Sequence, residues 1–293
     1  MSEGHGHENH WEGFLAGRAV AVCVNVMLEG WSPGTWPKIG PMGNPIGESV
    51  IDHQALSWAA YGIETGIDGI RRELSRAGVP ATVFASGMFT ETAPGVLRSL
   101  AAEGYEIAAH AWSQDQSMPL LSWEAEQQLV VKCFDSLARL LGEGPRGWLS
   151  PRCTPGYRTH RTLTQAGFDW WADVFDADVP YLLDSPEGSI VAFPFQMELN
   201  DLPHRIRFGL PYYDFLLRWR EELQAARDAV TPRWIDLTLH AHISGRPSGL
   251  SMLRSILDEA VSSPDLWITT RSELLAAYVS SGTVSRRNKS LES

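Results

Sequence analysis

Cysteine is scarce in this chain. Cys23, Cys133 and Cys153 are odd in number, widely spaced and without a C-x-x-C pair. This excludes a disulfide framework and fits reduced thiols in a cytoplasmic protein. Long apolar runs are missing too. No stretch approaches the ~20 residues of a membrane span, so no membrane partner is expected. The opening Met1-Ser2-Glu3-Gly4-His5 has no basic segment followed by an apolar one, so no secretory signal is expected. Positive charge is in deficit: 24 Lys and Arg against 35 Asp and Glu give a formal charge of -11. A nucleic-acid partner would need a basic face, so none is expected. No internal repeat and no shift of composition marks a second domain.

Apolar and aromatic residues are plentiful. A hydrophobic content of 44% over 293 residues supports a large core, and one barrel-type domain can reach this length. Tryptophan is abundant at twelve residues. Some must be core, but Trp31, Trp112, Trp148 and Trp171 lie beside candidate site residues and could wall a pocket for a small, flat ligand. His5, His7 and His10 read as a terminal tract rather than a metal site.

Short β-branched runs alternate with amphipathic helices, the pattern of βα units around a parallel sheet. The strand candidates are 19–26, 81–85, 106–110, 147–149, 169–172, 190–193, 234–240 and 266–269. Over Trp123–Leu141 the apolar residues Trp123, Val130, Phe134, Leu137 and Leu141 recur at helical spacing. Ser122 can cap that helix, Glu124 and Glu126 suit its positive end, and Gly142 stops it. A second helix is expected over 251–261, with Pro247 opening it as a first-turn residue. Residues 31–47 hold four Pro and four Gly with almost no charge, so an irregular loop over the strand ends is expected, either a lid or a static surface loop. The expected organisation is an N-terminal arm over 1–16, one barrel domain over 17–280 and a polar, frayed tail over 281–293.

Four segments set polar residues just after apolar strands, where an α/β barrel presents its chemistry. They are Asn25-Val26-Met27-Leu28-Glu29-Gly30, the run from His110 through Trp112 and Gln114 to Asp115, Gly147-Trp148-Leu149-Ser150-Pro151-Arg152, and Leu239-His240-Ala241-His242. In an extended segment Asn25, Met27 and Glu29 face one way. His240 and His242 alternate along the last long strand and can share a face. His160 and His204 lack such context and read as solvated, His53 flanks the long loop, and Asp236 lies inside a strand.

In this order and spacing the segments resemble the polysaccharide deacetylase superfamily, the NodB-homology esterases and amidases on a distorted (β/α) barrel. Further shared traits are Tyr61-Gly62 with Gly66, Asp173 followed by Asp176-Ala177-Asp178-Val179-Pro180-Tyr181, Asn200-Asp201, Gly245-Arg246-Pro247 and Trp267-Ile268-Thr269-Thr270-Arg271. The resemblance runs from about Trp11 to Tyr278. It is nearest to the branch holding metal-independent allantoinases and cyclic-imide hydrolases.

The metal-dependent members carry D-x-D in the first segment, a base and then a ligand, and two His ligands spaced by four in the second. Here Asn25 and Met27 replace the two Asp and Gln114 the second His, so of the three ligands His110 alone is kept. Met and Gln are poor ligands for a hard or borderline cation. The resemblance therefore implies a single-domain α/β hydrolase of a C–N bond in a small, cyclic amide, imide or ureide, working without a cofactor. Glu29, His240 and His110 would be catalytic. Asn25, Trp112, Trp148, Arg152, Asp173 and His242 would bind substrate, Arg152 orienting a carboxylate or contacting substrate through its planar fork. Glu29 beside the loop is expected to have a raised pKa suited to acid–base work. The resemblance also implies a homodimer or homotetramer. Two alternatives stand beside this reading. One is a deacetylase holding Zn2+ or another divalent cation through His110 with Glu29, Asp115 or His242. The other is a catalytically silent binding protein on the same scaffold.

Overall fold

The computed structural model describes residues 15, 17–42, 50–229, 233–282 and 284–287. His5, His7, His10, most of the expected arm and residues 43–47 of the long loop lie outside them. The fold is built on β1 (Val20–Leu28), whose nine residues are all buried. Its odd and even residues part cleanly. Val20, Val22, Val24, Val26 and Leu28 join the core beneath the helices, whereas Ala21, Cys23 and Met27 join Phe84, Ala108, Leu149, Trp170 and Phe193 inside the barrel. A strand covered on both faces needs an apolar run rather than strict alternation, and this one has it.

Parallel partners flank β1. β2 (Thr82–Ala85) pairs with its carboxyl half from Asn25 to Leu28, and β9 (Leu266–Thr269) with its amino half from Val20 to Cys23. β8 (Arg233–His240) runs along the opposite edge. Beyond β2 follow β3 (Glu106–Ala109), β4 (Gly147–Trp148), β5 (Trp170–Trp171) and β7 (Gly188–Ala192), all parallel. β6 (Tyr181–Ser185) forms an antiparallel hairpin with β7, and β10 (Ser285–Arg287) adds to its outer edge. Residues 285–287 of the expected frayed tail are therefore paired. The pairing is held by Arg286 on Asp184 and Arg287 on Asp176.

The seam between β7 and β8 carries no continuous ladder. The chain after β7 crosses it through a parallel bridge between Asn200 and Thr238, and Gln196 exchanges bonds with Asp236 and Trp234. The result is a parallel α/β ring with an irregular seam, a distorted barrel.

Helices coat the ring. α1 (His53–Tyr61) runs through a π-helical turn, Gly62–Gly66, into α2 (Ile67–Ala77). α3 (Phe89–Thr92) and α4 (Pro94–Ala102) follow β2, and α5 (Trp123–Leu141) follows β3. As its sequence requires, α5 is capped by Ser122, which accepts from the Ala125 amide, and is ended by Gly142 at φ 90°. α6 (Thr159–Ala166), α7 (Tyr212–Arg227), the one-turn α8 (Ala241–Ser244), α9 (Pro247–Val261) and α10 (Arg271–Ser280) complete the coat. No helix of the described residues is long and apolar enough to cross a membrane. The described loop residues 31–42 hold neither helix nor strand.

Candidate active site

The carboxyl ends of the strands bring four of the expected residues together. Glu29 follows β1, His110 follows β3, His240 ends β8 and His242 sits in α8, one turn beyond the strand rather than on it. His110 Nε2 is 3.5 Å and His240 Nε2 3.9 Å from Glu29 Oε1, and His242 Nδ1 is 3.9 Å from Oε2. Glu29 is thus a carboxylate ringed by three imidazoles, with its side chain only 10% exposed.

Each imidazole is aimed by a different device. His110 Nδ1 donates to the Leu149 carbonyl at 2.8 Å, which turns Nε2 toward Glu29. His240 Nδ1 donates to Asp201 Oδ1 at 2.6 Å. The same buried carboxylate accepts the His240 amide and, at 2.6 Å, the Ser244 hydroxyl. His242 is held by rings, meeting Trp58 edge-on at 4.5 Å and Trp31 at 5.9 Å between centroids. Its Nδ1 is buried and has no hydrogen-bond partner.

Backbone contact seats α8. A Cβ on Gly66 would lie 2.0 Å from the Ala241 carbonyl oxygen, and one on Gly62 3.1 Å from the His242 amide nitrogen. Only a bare backbone lets the π-helical turn pack this close, which gives the Gly62 and Gly66 pattern its physical reason.

The charges follow from this packing. Burial pushes the Glu29 carboxyl up, but the charge of His240, a bond from His110 and the charges of His242 and His110 together outweigh it. They hold the carboxyl at about 2. The expected rise therefore does not occur, because three imidazoles face the group rather than an apolar wall. Burial pulls His240 down, yet the Asp201 charge, then that of Glu29, then the Asp201 bond raise it above its ordinary value. Burial dominates at His242 and lowers it to about 4, against the pull of Glu29. At neutral pH the cluster holds an ionised carboxylate and a neutral His242, beside a His240 that holds its proton more tightly than an ordinary imidazole.

The remaining expected residues lie elsewhere. Asn25 is fully buried beneath the mouth, where its Nδ2 donates to Asp236 Oδ1 at 3.0 Å, so it is removed from direct substrate contact. Asp236 also meets the fully buried Arg271 at 3.2 Å, and the three make a polar floor inside the barrel. Trp112 packs in the outer core with Lys132 Nζ 3.3 Å from its ring, and Trp148 is sealed in that core against Phe168. Neither walls the site. Trp31 and Trp58 take that place. Trp148 does reach the mouth indirectly: its Nε1 donates to Ser150, whose hydroxyl donates to Asp173 Oδ2 at 2.6 Å.

Asp173 is tied to Ser150 by two bonds, and burial pushes its carboxyl up to about 6 against those bonds and the His110 charge. Arg152 is exposed, with a left-handed backbone at φ 59°, and orients no carboxylate among the described residues. His160 and His204 are buried, not solvated. Asp201, Ser150 and Trp58 are the contributors that residue-by-residue reasoning passed over. Asp201 had a signal, since Asn200-Asp201 is one of the shared traits.

The positions that would hold a metal do not fit one. Asn25 is spent on Asp236, Met27 is core, and Gln114 uses its amide nitrogen as a donor to the His110 carbonyl and Ser86. Asp115 accepts the Ser32 amide at 2.7 Å and so pins the long loop. Among the described residues, no group of three or more His, Cys, Asp or Glu is arranged to hold a metal ion.

Comparison with known proteins agrees with this architecture. The polysaccharide deacetylase family model matches residues 62–171. Peptidoglycan deacetylase of Helicobacter pylori is 22% identical over 251 residues, covering 75% of this chain and 85% of that protein. Among solved structures, Puue allantoinase superposes with a TM-score of 0.83 at 22% identity, over 94% of this chain and 95% of that one. A Mycobacterium smegmatis protein assigned to the polysaccharide deacetylases superposes with a TM-score of 0.78 at 27% identity, over 93% and 94%.

Proposed function

We propose that this chain is a hydrolase that cuts a C–N bond in a small amide, imide or ureide by acid–base chemistry without a metal. The observation that carries the reading is the facing pair of Glu29 and His240, with His240 Nδ1 held by Asp201. Amide hydrolysis needs a proton taken from water and a proton given to the leaving nitrogen. His240, whose proton is held more tightly because of Asp201, supplies the second. Glu29 takes the first.

A carboxylate held at about 2 is a weak base while His240 is charged. That charge is the largest influence holding it down, so Glu29 strengthens as His240 gives its proton up. The two titrate as a pair. Water adds to the acyl carbon as its proton moves to Glu29. The C–N bond then breaks as His240 protonates the nitrogen, and the proton on Glu29 restores His240. His110 and His242 line the space in which the oxyanion forms, and a donor from either would stabilise it. The 3.9 Å between Glu29 and His240 is too long for a hydrogen bond and leaves the pair open to an interposed water or substrate.

A small substrate is favoured over a polymer because Glu29 is nearly enclosed, with Trp31 and Trp58 against His242. The deciding experiment is turnover on hydantoins, cyclic imides and N-acetylated sugars, paired with elemental analysis of protein purified without chelator. Turnover of a ring substrate by metal-free protein is expected. Activity confined to acetylated sugar and dependent on stoichiometric metal would refute the reading.

A further inference from the structure

Beside the mouth lies a solvent-open cavity of about 580 Å³, between α1, the chain leading into α7, and the α8–α9 turn. Glu29 does not line it. Its walls include Trp58, Tyr61, Arg205, Tyr212, Ile243 and Arg246, and no Asp or Glu among the described residues. Trp58 separates it from the chemistry, since the same indole packs on His242.

Both arginines are fixed in place without being neutralised. Arg205 stacks over the Tyr212 ring at 4.7 Å and donates to the Leu210 carbonyl. Arg246 stacks over Tyr61 at 4.1 Å and donates through Nε to the His242 carbonyl at 3.2 Å. Elsewhere arginines pair with carboxylates, such as Arg254 with Glu73 and Arg227 with Asp265. In a chain of formal charge -11, two guanidiniums sharing an acid-free cavity stand out.

We propose that this cavity binds a small organic anion, a flat molecule bearing a carboxylate, at a site distinct from the Glu29 centre. The guanidiniums grip the anionic end, because their planar forks match a carboxylate and their orientation is already set by carbonyls and rings. Trp58 and the two tyrosines offer faces for the flat remainder. The volume falls within the range of ordinary small-molecule pockets, roughly 300–1,000 Å³. The site does not depend on the Glu29 centre being hydrolytic.

The test is calorimetric titration of the full chain with phthalate, a flat dicarboxylate, and with phthalamide, its uncharged analogue. Saturable phthalate binding is expected, weakened about tenfold or more in Arg205→Gln and in Arg246→Gln and reduced at high salt. Arg246→Lys should recover part of the loss, and Glu29→Gln should bind phthalate as the wild type does. If a variant fails to fold, the wild type still decides the matter through its Trp58 indole N–H resonance, assigned by Trp58→Phe. That resonance should move with phthalate and not with phthalamide. No saturable binding, equal affinity for phthalamide, or a Trp58 resonance indifferent to phthalate would overturn the proposal.

Discussion

Replacing Asp201 by Asn is the sharpest test of how the site works, because it removes one charge and almost no volume. Asp201 is fully buried and sits 2.6 Å from His240 Nδ1, with the Ser244 hydroxyl on its other oxygen. Taking about 4 Å between the centres of charge and an effective dielectric of about 20, the pair interacts by roughly 4 kcal/mol. The Asp201 charge is the largest influence raising His240, so removing the carboxylate should lower its pKa. The sign follows from the raised pKa of His240. Below its folded pKa the imidazolium is present and can act as the acid, and activity falls as pH rises through that value. In Asp201→Asn the alkaline limb of kcat/KM should move to lower pH, with turnover at pH 7 reduced roughly 100-fold. A structural role alone would lower stability and leave the limb in place. The stabilisation due to His240 is likewise fully present below its unfolded pKa of about 6.5 and is lost as pH rises through the folded value. In the variant that alkaline loss should vanish, as read from urea midpoints across pH. A pH–rate profile superposable on that of the wild type would refute the argument.

Glu29→Gln should cut kcat by ~100-fold or more while substrate still binds, checked by turnover and by calorimetry with a slow substrate. The acid limb of wild-type activity should lie near pH 4, where His242 gains its proton, rather than near pH 2, where Glu29 gains its own. Gly66→Ala sets a methyl 2.0 Å from a carbonyl oxygen and should cost ~3 kcal/mol, lowering Tm by roughly 6–12 °C and kcat as well through displacement of α8. Dialysis against EDTA should leave turnover unchanged. Loss of activity that zinc restores would contradict the donor set described for the mouth.

The parallel core of this fold is legible in the sequence because buried parallel strands write themselves as apolar runs ended by polar residues. Val20–Leu28 and Leu266–Thr269 need no more than that. β6 and β10 are harder to see. β6 turns back through Pro186-Glu187 on β7, and β10 is a polar strand held by Arg286 and Arg287 on acidic partners. No hydrophobic period marks such a strand. Within the site, the position of Glu29, His110 and His240 follows from strand ends and parity. The same parity works against Trp148, since Leu149 faces the barrel interior and its neighbour must face out. The pKa of Glu29 is not legible, because the direction of its shift depends on three imidazoles that lie 81, 211 and 213 residues further along the chain.

The Asn25–Asp236 bond has a consequence for the redesign of this scaffold. An Asp at position 25, where metal-dependent members of the family keep one, would set a second carboxylate about 3 Å from Asp236. Burial already pushes Asp236 up, and Arg271 is the guanidinium opposing it. Two adjoining carboxylates in that space would not both ionise, and one would hold a proton. Asn25→Asp alone should therefore yield a protonated acid and a weaker barrel, not an ionised base at the mouth. The floor works as an interlock: a carboxylate at position 25 is accommodated in its charged form only when its neighbour Asp236 is changed as well.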